Sequence, residues 1–276
     1  MLTIYYATRR LFKPIDDIND GVRKFGEGNL KHRISYRRND QLGTLAHNVN
    51  TMAQDIDNMI EAKRQLLLGI SHELRSPLTR SKVNLALMPE SSAHTEISRD
   101  IEMMEQLITE LLESERLNSQ HAALNPEKAH LTNLISEWIE TNFSQSGVTS
   151  KLDRVEAYVD IARLKLLISN LLQNAIKHNG PDRQAPVIHL KSATFNHAPG
   201  FRIVVEDFGK GINQEHIPFL TEPFYRADPS RQRKTGGYGL GLYLCRMIVQ
   251  AHGGRLAIQS QQNQGTQVIC EFPLTQ

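Results

Sequence analysis

Apolar residues form helical stripes in the first half of the chain and short strand-like runs in the second. From Pro14 to about Phe25, the residues Ile15, Ile18, Val22 and Phe25 recur at intervals of three and four, the spacing of one buried helix face. Gly26-Glu27-Gly28-Asn29 breaks that helix, and in the connector that follows Leu30 and Ile34 are the burial candidates. A second helix opens near Asp40 and carries Leu42, Leu45, Val49, Met52 and Ile56. Two short amphipathic helices with an extended connector cannot bury both stripes alone, but a parallel homodimeric four-helix bundle would. No breaker separates Met52 from His72, so the second helix is expected to run on through Leu66, Ile70 and Leu74 to Met88-Pro89. Ser91-Ser92 supplies turn and N-cap material. The next helix holds Ile97, Ile101, Met104, Ile108 and Leu111 at intervals of four, three, four and three. That heptad seam predicts an antiparallel hairpin that dimerises into a four-helix bundle.

After the polar run Ser119 to Asn125 and Pro126, the pattern changes to α+β. A helix is expected over 131–143, with short apolar strands at 157–160, 186–193, 201–207, 255–260 and 267–272. Helices from Ile161 to about Lys177 and from Gly239 to His252 complete a sheet covered on one face. The expected organisation is multidomain, an α-helical part followed by an α+β sandwich, with segments 1–13, 14–60, 61–122 and 123–276.

Composition narrows the field. With 32 basic against 30 acidic residues, no nucleic-acid partner is suggested. The two cysteines, Cys245 and Cys270, lie in no metal-ligand pattern and suit a reducing compartment. No segment reaches the ~18–20 apolar residues of a membrane span. The opening Met1-Leu2-Thr3-Ile4-Tyr5-Tyr6, followed by Arg9, Arg10 and Lys13, nevertheless looks like the cytoplasmic end of a transmembrane helix.

Candidate chemistry begins at Ile70-Ser71-His72-Glu73-Leu74-Arg75-Ser76-Pro77-Leu78. His72 lies two residues from both Ile70 and Leu74, about 200° around the helix, and so points to solvent. Glu73 is placed to accept the other ring N–H and fix a tautomer. Arg75 and Ser76 share the exposed face. Pro77 removes the helical bond to the carbonyl of Glu73, at a cost of ~3 kcal/mol.

Four motifs follow in the second half. Asn170-Leu171-Leu172-Gln173-Asn174-Ala175-Ile176-Lys177-His178 puts Asn170, Asn174 and Lys177 on one helix face. An amide oxygen is a hard ligand that suits Mg²⁺, and Lys177 adds positive charge for phosphates. Asp207-Phe208-Gly209-Lys210-Gly211 ends a strand with a carboxylate that can accept from an exocyclic amine such as that of adenine. Gly209 and Gly211 let the backbone turn against a flat ring. Pro223-Phe224-Tyr225-Arg226 precedes a basic stretch with Arg231, Arg233 and Lys234, a lid with cations for a polyphosphate. Gly236-Gly237-Tyr238-Gly239-Leu240-Gly241-Leu242 opens a helix whose N–H groups can cradle phosphates, and it fits neither a P-loop nor a Rossmann pattern. Singly, each has a plainer reading as solvated amides, a turn or a charged loop.

Taken in order and spacing, these stretches resemble the bacterial two-component sensor histidine kinases over essentially the whole chain. Pro14, Asp40-Gln41-Leu42-Gly43, Asn50 and Met52 resemble the HAMP linker, with Gln41 where that family usually has glutamate. The His72 stretch is similar to the phosphoacceptor box. The later motifs are similar to the N, G1, F and G2 boxes of a gyrase–Hsp90–kinase–MutL (GHKL) ATP-binding domain, and Gly265-Thr266 to its G3 element. The resemblance implies phosphate acceptance by His72, with Glu73 as base, and Mg²⁺ held by Asn174. It implies adenine recognition by Asp207, and ATP contacts from Asn170, Lys177, His178, Gly209, Gly211, Tyr225 and Arg226. Gly237, Gly239, Leu240, Gly241 and Leu242 would form the phosphate lid. His178 stands where an aromatic is common, and Ser76, where threonine or asparagine is usual, is implied in dephosphorylating the partner.

A homodimer at the bacterial inner membrane is implied, with this part on the cytoplasmic side and an aspartate on a response-regulator receiver domain as phosphoryl acceptor. The His72 box and Pro223 to Asp228 are similar to envelope-stress sensor kinases. Two other functions compete. A plain GHKL ATPase would not need His72 on a dimerising hairpin. Against an inactive dimeric scaffold stand Asn174, Asp207 and the glycine lid.

Overall fold

The computed structural model describes residues 2–35, 40–118, 124–180, 183–195, 197–227 and 238–274. The chain divides into two compact units, Met1–Ser76 and Pro77–Gln276, so the division falls at the helix proline.

In the first unit, α1 spans Leu2–Gly26 and α2 opens at Gln41. α1 starts well before Pro14 because residues 2–13 contain no breaker, yet no helix among the described residues is long and apolar enough to cross a membrane. Ile18, Ile34 and Ala46 are buried together, with Phe25, Leu42 and Val49 packed on them. Asn50 holds the connector. Its Oδ1 accepts the Ile34 N–H at 2.9 Å and its Nδ2 donates to the Ile34 carbonyl at 3.0 Å. A side chain at Gly21 would strike Ile34, so glycine lets the connector lie against α1. Ile15, Val22, Leu45, Met52 and Ile56 stay exposed in the single chain.

α2 runs unbroken over Gln41–Ala86, 46 residues, as the lack of breakers predicts. In the second unit its end pairs with α3, Ser92–Asn118. Ser91 Oγ accepts the His94 N–H at 3.1 Å and caps α3. Leu78, Leu85 and Ile101 are buried with Ile108 against them, so part of the heptad seam packs the hairpin, while Ile97 and Met104 of the same seam stay exposed in the single chain.

The rest of that unit is a five-stranded sheet in the order β2-β4-β5-β7-β6, formed by Thr149–Leu152, Val187–Phe195, Ala198–Asp207, Gly265–Pro273 and Arg255–Gln261. β2 pairs with β4 in parallel, and the other pairs are antiparallel. β1 (Glu127–His130) and β3 (Glu156–Val159) form a separate ribbon. α4 (Leu131–Phe143), α5 (Ile161–His178) and α6 (Gly241–Ala251) pack on one face of the sheet. Leu167, Ile168 and Leu172 of α5 and Leu244, Ile248 and Val249 of α6 meet Leu190, Phe201, Ile203 and Phe272 in one core. Cys245 and Cys270 are free and buried there. Burial pushes both thiols above their usual range, so they pack as apolar residues.

Candidate nucleotide site

Strand phase sets the position of the acid. Along β5, Phe201, Ile203 and Val205 point into the helix-covered core, and Asp207 is the next residue of that inward row. Its carboxyl therefore ends up under the helices at the strand's end, 9% exposed. Oδ1 accepts the Gly209 N–H at 2.9 Å. Burial pushes the Asp207 carboxyl above the usual carboxylate range, opposed by the N–H groups of Gly209 and Thr266. Thr266 sits opposite Asp207 across the β5–β7 ladder.

Asp207 opens onto a cavity of about 1100 Å³, slightly larger than the usual range of small-ligand sites. α5 supplies Asn170, Asn174 and Lys177, which share its cavity face as the sequence predicted, and also His178. Asp160 caps the helix, with Oδ1 accepting from the Arg163 N–H at 3.1 Å. Asn170 Nδ2 donates to the Leu166 carbonyl at 3.1 Å, which leaves its Oδ1 facing Gly241. A Cβ on Gly241 would come within 2.9 Å of that oxygen, so the missing side chain keeps the amide row open. Burial and the neighbouring Arg226 lower the pKa of Lys177, while Glu110 opposes them.

Gly241 and Leu242 line the cavity at the start of α6, where no side chain caps the helix. Their N–H groups are the donors a helix offers to anions. Leu240 is instead buried and forms no cavity wall, and Gly209 acts through its bond to Asp207. Gly211, at φ +65°, lies on the cavity where a side chain would strike the Gln261 carbonyl. Tyr225 and Arg226 line the far wall with Gly239, and Phe224 N–H donates to the Gly239 carbonyl at 3.0 Å. Gly237 and the cations Arg231, Arg233 and Lys234 lie outside the described residues.

Three contributors escaped the sequence reading. Asn179 Oδ1 accepts from the Phe208 N–H at 2.8 Å and its Nδ2 donates to the Gln184 carbonyl at 2.7 Å, pinning the turn after Asp207. His216 meets Tyr225 OH at 2.8 Å. Glu110 enters the wall from α3. Only the asparagine's place directly behind His178 could have drawn attention in the sequence.

His72, Glu73 and Ser76 are exposed on α2 in the other unit, as helical phase requires. The expected bond from the His72 ring to Glu73 is not formed among the described residues, where both side chains lie exposed. Ser71 behind them is buried, with Oγ donating to the Leu67 carbonyl at 2.7 Å.

Three families match the chain in succession. They are the HAMP domain over residues 6–58, the His Kinase A (phospho-acceptor) domain over 62–120, and the histidine kinase-, DNA gyrase B-, and HSP90-like ATPase over 159–276. Among curated relatives, sensor protein RstB of Escherichia coli is 32% identical over 92% of this chain and 58% of its own length. The signal transduction histidine-protein kinase BaeS of the same organism is 27% identical over 99% and 60%. This chain thus spans about three-fifths of those relatives. The crystal structure of full-length ShkA in complex with AMPPNP shares the fold, with a TM-score of 0.61 at 20% identity over 76% of this chain and 46% of that one. The Acinetobacter baumannii histidine kinase AdeS does so with a TM-score of 0.52 at 21% identity over 74% and 98%.

Proposed function

We propose that this chain, the signalling and catalytic region of a two-component sensor histidine kinase, transfers the γ-phosphoryl group of ATP to its own His72. The observation that carries the reading is the cavity, where a buried carboxylate, an amide row with a lysine, and an uncapped helix start converge. Those are the complements of an exocyclic amine, a cation-bound polyphosphate and an anion.

Asp207, held by the Gly209 N–H, accepts from the adenine amine, and the backbone at Gly211 on the cavity wall lies along the ring. The N–H groups at the start of α6, with Lys177 and Arg226, hold the phosphates. A hard cation fits this donor set. Asn170 Oδ1 and the Asn174 amide offer neutral amide oxygen on an open face, the hard donor type that suits such a cation. Asn174 would hold Mg²⁺, which supplies charge neutralisation on the phosphates when bound.

One imidazole nitrogen of His72 attacks the γ-phosphorus in line, the bond to the bridging oxygen breaks and ADP leaves. Glu73 takes the proton released from the ring after a change of rotamer brings it to the imidazole. The phosphoryl group then passes to an aspartate of a receiver domain, and Ser76 keeps a hydroxyl on the exposed face to orient water for the reverse removal. The dimer and the membrane anchor belong to the same reading. The RstB and BaeS relatives and the matched phospho-acceptor domain support it. Incubation with ATP labelled on the γ-phosphate tests it. A base-stable, acid-labile label that is strongly reduced in Asp207→Asn at low ATP is expected. ATP hydrolysis without any such label would favour a bare ATPase.

A further inference from the structure

α3 carries two stripes. Two residues beyond each member of the apolar seam lie Arg99, Met103, Gln106, Glu110 and Glu113, about 200° around the same helix. The first four line the nucleotide cavity, and Glu113 meets Arg163 Nε of α5 at 3.1 Å. Ile101 and Ile108 of the seam pack the hairpin, whereas this second face is polar from Arg99 to Glu113 apart from Met103 and ends on Leu117, which is buried in the core under the sheet. Within this face, Glu110 stands out as a carboxylate only 8% exposed, whose Oε1 accepts from Gln106 Nε2 at 2.7 Å. Burial pushes its carboxyl up, while the Gln106 bond and the charge of Lys177 hold it down. The same lysine faces the cavity from α5.

We propose that Glu110 is an internal competitor of the nucleotide's phosphates for Lys177, so that docking of α3 and occupancy by a polyphosphate oppose each other. This rests on the nucleotide reading of the cavity. A triphosphate brings several negative charges to a wall that already holds a buried carboxylate, and like charges in a low-dielectric site repel strongly. ATP therefore favours the arrangement in which α3 has moved off, and reciprocally a docked α3 lowers affinity for ATP. Adenosine, which reaches only the Asp207 end, does not feel the competition. Gln106 and Arg99 bring no negative charge to this wall, and the ion pair of Glu113 with Arg163 latches the helix beyond it.

The test is calorimetric titration of the whole chain with Mg²⁺–AMPPNP and, separately, with adenosine. Glu110→Gln preserves size and can keep the bond to Gln106. It is expected to tighten AMPPNP binding about tenfold, within the usual range of couplings between sites. Adenosine affinity should stay within about twofold, and the gain should shrink in high salt. Glu113→Gln, which loosens the latch without altering charge beside Lys177, should give a smaller gain for AMPPNP. An unchanged AMPPNP affinity in Glu110→Gln, or an equal gain for adenosine, overturns the competition. Failure of every form to bind any adenine compound would instead sink the underlying nucleotide reading.

Discussion

At the scale of single residues, two buried polar groups make opposite demands. Asp207 faces the cavity, and burial raises the pKa of its carboxyl against the opposing Gly209 and Thr266 N–H groups. Asp207→Asn should weaken nucleotide binding about 10- to 100-fold, from loss of a charged acceptor worth ~1.5–3 kcal/mol, as calorimetry with AMPPNP would read. His252 serves the fold instead. Its Nδ1–H donates to the Ile248 carbonyl at 2.8 Å and Nε2 accepts the Asp160 N–H at 3.1 Å, which fixes the neutral tautomer. Burial holds its pKa below the ordinary imidazole value of 6.5, with Arg163 adding to the effect and Ile248 and Asp160 opposing it. The folded state thus binds this proton less readily than the unfolded one. The stability it contributes is present above about pH 6.5 and is lost as pH falls through the lowered folded value. The melting temperature should fall by a few degrees between pH 7 and pH 5, and by less in His252→Gln. Asp207 was legible in the sequence because a strand period and two glycines frame it. His252, Asn179 and Glu110 were not, since each acts through a partner distant in sequence or through burial that only packing creates.

At the scale of elements, long periodic stretches could be read almost to the residue. α4 was expected over 131–143 and spans Leu131–Phe143, and α5 extends one residue beyond Lys177. β1 and β2 were missed. Glu127–His130 and Thr149–Leu152 are four residues each, carry little apolar alternation, and exist because neighbouring strands pair with them. The connector of the first unit is likewise held by tertiary bonds rather than by propensity. Asn50→Ala should remove both bonds to the Ile34 backbone at a cost of about 1–3 kcal/mol. Hydrogen exchange at the Ile34 amide would then accelerate by one to two orders of magnitude, whereas unchanged exchange would show that packing alone holds the connector.

At the scale of the whole molecule, apolar surface left open by the single chain points to a second copy. Leu66, Ile70 and Leu74 on α2 are 63%, 45% and 45% exposed, and Ile97 and Met104 on α3 are 47% and 40% exposed. Rows of this kind rarely face water in a monomer. Light scattering should report a dimer, and Leu66→Glu with Leu74→Glu should yield monomers that still bind AMPPNP. The sequence carried the seam that builds the hairpin but not the second, polar face of α3, because a polar stripe has no periodic signature until something packs on it. The central claim is that His72 receives the phosphoryl group. The most direct measurement is label incorporation from γ-labelled ATP into His72→Gln beside the wild type, with AMPPNP affinity measured on both. Equal affinity with complete loss of the base-stable, acid-labile label is the predicted result, and label retained on His72→Gln would contradict it.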